Sequence, residues 1–207
     1  MPTRQTAAVA TIDLRDLHTH AVQASVKVVG QISADDLDRP TPCGDWSLAR
    51  LLAHMTVQHD GFAAAAAGQG GDLAVWAEQP LSSDPIRAYA AAADRVLTAF
   101  AQDDVLEQEF ALPEISPLTT FPGRQAIGFH LIDYVVHGWD VARAIEADFV
   151  LDPDLLETAW VIATSVPDGP ERLRFGAAFA PSEKVGDDAP MLDRIVAYLG
   201  RSPSWPN

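Results

Sequence analysis

Cysteine is nearly missing from this sequence: Cys43 is the single one, so no disulfide can form within the chain. The leading segment MPTRQTAAVATIDLRD lacks the long apolar stretch of a signal peptide and meets Asp13 early. Both absences make a cytoplasmic setting the expectation. Basic residues are scarce too, with 14 Lys and Arg against 29 Asp and Glu, a formal net charge of −15. Such a surface repels phosphate backbones and anionic lipid, which argues against nucleic-acid binding and against a polybasic membrane contact. The apolar run Phe62 to Ala67 is far too short to span a bilayer. There is also no Gly-rich phosphate loop, no G-x-S-x-G elbow and no H-E-x-x-H pair, which sets aside nucleotide hydrolases, serine hydrolases and zincins.

What is present is enough chain for one core. With 207 residues and 48% apolar content, the protein can fold without staples, so a metal here would serve chemistry rather than foldedness. Residues 1–11 read as a flexible N-terminus and residues 12–207 as a single domain. Leu14, Leu17, Ala21, Ala24 and Val28 recur at helical spacing up to Gly30. ADDLDRPTPCGDW then reads as a loop. A second helix starts near Asp45 or Ser47 and ends before GQGGD; a third follows Asp84-Pro85, a cap and a first-turn proline, to Phe100. Glu109 to Pro122 suggests an irregular excursion or short hairpin. The fourth helix, about Gly123 to Ile145, is apolar on nearly every side and marks the buried centre. A shorter helix opens at Pro153, an irregular segment follows, and PMLDRIVAYLG closes the chain as a last amphipathic helix. The expected fold is an all-α bundle of four main helices with little strand.

Chemistry concentrates in the fourth helix. Asp133 and His137 are four apart, so they lie on one face, one turn above the other. A carboxylate and an imidazole so spaced can approach one ion at ~2 Å each. Asp is rarely buried unless it is paired or metal-bound, which makes D-x-x-x-H in an apolar helix informative. His130 competes for the same role, but it stands roughly 10 Å from His137 along the axis. It ranks as an outer-shell or pocket residue, with a His130–Asp133 pair left open. His54, in LLAHM, is either a hydrogen-bonded core histidine or a ligand. His59, five positions on, points away from His54 and reads as solvent-facing; His18 and His20 carry little weight as ligands.

Three blocks, TPCGDWSLARLLAHM, HLIDYVVHGWDVARAI and the tail FGAAFA…APMLDRIVAYLGRSPSW, resemble the metal-binding domain of the mycothiol-dependent maleylpyruvate isomerases, in the DinB-like superfamily. More narrowly, they are similar to short, largely uncharacterised actinobacterial relatives of those isomerases. The resemblance implies a DinB-like four-helix bundle with one metal held by a histidine of the second helix and by an acidic residue and a histidine, four apart, on a later one. On this chain those positions are His54, Asp133 and His137. The isomerases typically use the longer glutamate where this chain has Asp133, so the carboxylate is expected to bind through water or to draw the ion toward the fourth helix. They also carry a further C-terminal domain, so maleylpyruvate isomerisation itself is not expected here.

Two imidazoles and a carboxylate suit zinc first and nickel next, and also iron or manganese, with a position left open. The resemblance makes mycothiol the thiol expected there. The reading is a metal- and mycothiol-dependent thiol transferase or isomerase acting on a small electrophile. A non-catalytic metal or ligand binder, and a bundle whose histidines merely satisfy each other through Asp133, are the alternatives; a homodimer is left open. Asp140 either fixes the tautomer of a ligand imidazole or pairs with Arg143. Gly138 either permits a close approach or is simply tolerated. Trp139, Tyr134 and Phe129 are core residues or pocket walls. Cys43 reads as a packed loop anchor rather than a nucleophile, and Arg50, Arg124 and Arg143 are candidates for the anionic parts of the thiol.

Overall fold

The computed structural model describes residues 13–174 and 177–207, so the expected flexible N-terminus lies outside the described residues. Its helices are α1 (Leu14–Val29), α2 (Leu48–Ala66), α3 (Pro85–Phe100), α4 (Gly123–Ala144), α5 (Pro153–Ser165) and α6 (Met191–Tyr198). Each of the first three starts where a side-chain oxygen satisfies an orphan N–H of the first turn. Asp13 accepts from the Arg15 N–H, Ser47 from that of Arg50, and Asp84 from that of Arg87. Ser47, not Asp45, therefore caps α2. The excursion after α3 is a hairpin of two three-residue strands, β1 (Glu109–Ala111) and β2 (Thr120–Pro122), with Phe110 opposite Phe121. The fold is mainly helical, as a DinB-like bundle requires.

α1 packs along α4, α2 along α3 and α4, and α5 with α6 against the α1–α4 side. Seventeen of the 22 residues of α4 are buried, because it contributes to all three apolar clusters. Tyr134 and Val141 join Val22, Leu48, Leu51, Leu52, Met55 and Tyr89. Leu131 and Val135 join Leu17, Leu155 and Ile195, while Ile127 joins Phe62, Trp76, Val96, Phe100 and Phe110. A helix wedged among three clusters must be apolar on every side, so the few polar side chains it carries have to find partners. Leu48, Leu51, Leu52 and Met55 are fully buried and contribute about 1.5–3 kcal/mol apiece, an anchorage for α2 that does not depend on the polar residues between them. No described helix is long and apolar enough to cross a membrane.

Gly138 is a close-approach glycine: a Cβ there would overlap the ring of Phe149, which folds back onto α4. Gly138→Ala is therefore expected to lower stability by about 1–3 kcal/mol, the usual cost of overpacking. The half-buried Phe149 ring can swing outward, which favours the lower end. Thermal unfolding of the variant measures it, and an unchanged midpoint would show that the ring yields freely.

Candidate metal centre

The α2–α4 seam brings His54, Asp133 and His137 together, with one ligand atom of each within 4.8 Å of the others. His137 Nε2 lies 3.4 Å from Asp133 Oδ1. The His54 ring meets the His137 ring edge-on, with centroids 5.3 Å apart. Exposure is graded across the set: the Asp133 side chain is 25% exposed, His54 19% and His137 8%, so solvent reaches the group from the Asp133 side. Burial, and then the neighbouring His137, lowers the His54 pKa to about 4, so its imidazole is neutral near pH 7.

His137 has a carboxylate hydrogen-bonded to its other nitrogen, and a second carboxylate stands near His54 beyond hydrogen-bond reach. Asp140 Oδ2 accepts from His137 Nδ1 at 2.9 Å, and Glu78 Oε1 stands 3.9 Å from His54 Nδ1. Asp140 does not pair with Arg143. Its partner is Arg201, whose Nη2 and Nε donate to Oδ2 and Oδ1 at 3.0 and 3.3 Å. Burial alone would raise the Asp140 carboxyl, but the Arg201 charge and the His137 hydrogen bond outweigh it and hold the acid below its usual range. Since a carboxylate only accepts, His137 carries a proton on Nδ1 and turns Nε2 toward Asp133.

Arg201 also donates to Cys43 Sγ at 3.2 Å. The TPCGDW loop holds Cys43 in place: Thr41 Oγ1 donates to the Trp46 carbonyl at 2.9 Å and accepts from the Cys43 N–H at 3.2 Å. Cys43, His137 and Asp140 form a second group with ligand atoms within 4.8 Å of one another. Burial, opposed by Arg201, pushes the Cys43 thiol up to about 12, so it is a neutral thiol and a poor nucleophile. On the outer side, the Arg50 guanidinium lies 4.4 Å over the Trp46 ring, which packs 5.0 Å from the His54 ring. Arg143 turns instead to the Trp205 carbonyl, and Arg124 lies roughly 20 Å along α4 from His137, so neither serves the group. Tyr134 and Trp139 are buried, and half-buried Phe129 meets Phe121 of the hairpin.

The model of the mycothiol maleylpyruvate isomerase N-terminal domain family matches residues 18–142. The chain belongs to that family. The matched region takes in His54, Asp133, His137 and Asp140 and leaves Arg201 outside. Two uncharacterised proteins from two strains of Mycobacterium tuberculosis are each 28% identical over 190 residues, which cover 89% of this chain and 96% of each relative. No solved structure matches the chain significantly.

His130 is placed elsewhere than expected. It lies in a separate buried row, where its Nδ1 meets His18 Nε2 at 2.8 Å and its Nε2 meets His59 Nδ1 at 3.2 Å. The expectation that His59 faces solvent is corrected here, since it is fully buried and stacks 4.0 Å from the Tyr134 ring. Five helical positions turn it roughly 140° from His54, and that direction leads to the seam with α3 and α4, not to water. His18 is fully buried as well, whereas His20 stays at the surface, 3.4 Å from Asp152. Burial depresses all three pKa values, that of His18 to about 3. A neutral His130 has one N–H, so it donates to one neighbour and accepts from the other. The ends of the row, His18 Nδ1 and His59 Nε2, have no hydrogen-bond partner among the described residues.

Arg201, Glu78 and the nearness of Cys43 to His137 are the features that sequence reasoning missed. The signal for Arg201 was slight: a charged residue just past the last helix, after Gly200. Gly200 has φ +81, a left-handed turn, and a Cβ there would strike Ala180. That turn sends Arg201 back into the molecule.

Proposed function

We propose that His54, Asp133 and His137 hold one divalent metal, zinc in the first place and nickel in the second, and that the site activates a small thiol such as mycothiol toward a small electrophile. The observation that carries this is the pair His137 Nε2 and Asp133 Oδ1. With Asp140 fixing the proton on Nδ1, two lone-pair donors confront each other 3.4 Å apart. That arrangement calls for a cation between them, and ~3.4 Å is the separation of two ligands held at ~2.1 Å in a tetrahedron. The carboxylate on His137 supports the same reading, since metal-ligating imidazoles usually donate their other N–H to such a group. Asp133, though shorter than glutamate, needs no longer reach at this separation.

Three protein ligands leave a coordination position for a thiol, whose pKa an ion at this site would lower. The chain's own residues prepare that event. Neutral His54 offers a lone pair without first losing a proton, Asp140 aims the His137 ring, and half-exposed Asp133 marks the side of entry. Exposed Arg50, stacked on the Trp46 ring that packs against His54, offers a cation beside the group to an anionic part of the thiol or its acceptor. The family match supports mycothiol as the thiol.

Metal content tests the reading on wild type, His54→Ala and Asp133→Ala proteins reconstituted with zinc or nickel. The expected result is about one ion per chain in wild type, lost in both variants while the helical circular dichroism persists. Wild type without metal after reconstitution overturns it, because a proton on Nε2 would then fill the gap. With metal established, the thiol step is assayed with mycothiol and model electrophiles.

A further inference from the structure

His137 has two nitrogens, and each faces its own donor set. Nε2 faces Asp133 and, across the seam, His54. Nδ1 faces Asp140, which together with Cys43 makes the second group. By donor type alone the second set suits zinc as well as the first, since it combines a thiol, an imidazole and a carboxylate. Yet it already contains a cation belonging to the chain. Arg201 Nη2 lies 3.0 Å from Asp140 Oδ2 and 3.2 Å from Cys43 Sγ, where an ion bridging the two would compete with it. Arg201 is buried at 5% exposure, and a guanidinium does not give up its proton.

We propose that Arg201 is the specificity-determining residue of this centre: a fixed internal cation that closes the Cys43–His137–Asp140 group to metal and leaves the Nε2 face of His137 as the single place for an ion. The inference rests on the reading of His54, Asp133 and His137 as ligands. Two effects act together. The guanidinium takes both Asp140 oxygens in a fork, so an entering ion would have to displace a buried charge of its own sign. The same fork keeps Asp140 an anionic acceptor for His137 Nδ1–H, and a metal in the second group would need the Nδ1 lone pair instead. The two groups therefore demand opposite tautomers of one imidazole, and Arg201 selects between them. Arg201 is a positioning residue in this scheme and touches no substrate.

Cobalt(II) provides the test, because a thiolate ligand adds a sulfur-to-cobalt charge-transfer band in the near ultraviolet and imidazole and carboxylate ligands do not. Wild type is expected to take up cobalt without that band, and Cys43→Ser to leave the spectrum and affinity unchanged. Arg201→Met should gain the band, and Arg201→Met with Cys43→Ser should lose it again. Should Arg201→Met fail to fold by circular dichroism, Arg201→Gln keeps a hydrogen-bonding group without the charge. A thiolate band in wild type, a spectral change on Cys43→Ser, or no band in a folded Arg201→Met or Arg201→Gln protein overturns the proposal. The ligand reading fails by a different outcome, wild type that takes up no cobalt at all; a band in the Arg201 variants would then still support Arg201 as the residue that closes the second group.

Discussion

Taking the protein from about pH 7.5 to about pH 5 is expected to remove about 2–6 kcal/mol of folding stability, a large part of the ~5–15 kcal/mol that domains have. The cause is the buried row His18, His130 and His59, with folded pKa values depressed by burial below the ordinary 6.5. In the unfolded chain these imidazoles take up protons as the pH falls through that value, whereas in the fold they do not. A depressed histidine thus leaves stability intact above the unfolded pKa, and stability drains as the pH drops below it. For His18 the loss continues down to its folded value of about 3. Each histidine that stays neutral in the fold costs about 1.4 kcal/mol per pH unit in this window, and one to three of the row give the range above; His54, lowered to about 4, adds to the loss in the same direction. Asp140 does not interfere, because its folded pKa lies below the ordinary 3.8 and its own loss begins only in stronger acid. Denaturant midpoints measured at several pH values give the slope directly. His18→Phe, placed against Phe100 and His130, should make it shallower by about one proton. A stability flat from about pH 7.5 to about pH 5 would mean that the row is protonated within the fold and that its hydrogen bonds, not burial, govern it.

The same row marks where sequence reading stops. The α4 segment announced itself, because an apolar pattern on every side has no other home than the centre of a bundle, and Asp133 and His137 needed only the helical period to be placed on one face. The caps at Ser47 and Asp84 and the hairpin were equally legible, since each rests on neighbouring residues. His59 was not, because its surroundings come from α3 and α4, far away in sequence; a helix buried on two sides breaks the rule that turning away from one polar residue means turning toward water. Arg201 lay still further out of reach. Its carboxylate partner is 61 residues away, and only the left-handed turn at Gly200 brings it there. Asp140 illustrates the limit from the other side: the spacing to Arg143 and the spacing to His137 were equally good on paper, and a third residue decided between them.

Asp140→Asn is expected to damage folding and metal binding together, and the two losses have different origins. Asp140 is fully buried and receives Arg201 through both oxygens. Removing its charge leaves a guanidinium in the interior without a counter-ion, which costs about 3–5 kcal/mol of stability. The amide also brings an N–H₂ group to a place where Arg201 and His137 both donate, so one hydrogen bond is replaced by a clash of donors. Freed from its acceptor, the His137 ring loses the preference for keeping its proton on Nδ1, and metal affinity should fall about 10–100-fold. Asp133→Ala provides the contrast. That carboxylate is partly open to solvent and is bonded to no buried cation, so the variant should lose the ion while changing the stability of the metal-free protein by about 1 kcal/mol or less. Chemical denaturation without metal and zinc titration against a chelator separate the two effects. If Asp140→Asn unfolds at the wild-type midpoint and binds zinc as tightly, the Arg201–Asp140–His137 chain neither holds the fold nor aims the imidazole. If it loses stability but keeps its affinity, the pair is a structural staple and His137 is aimed by packing alone.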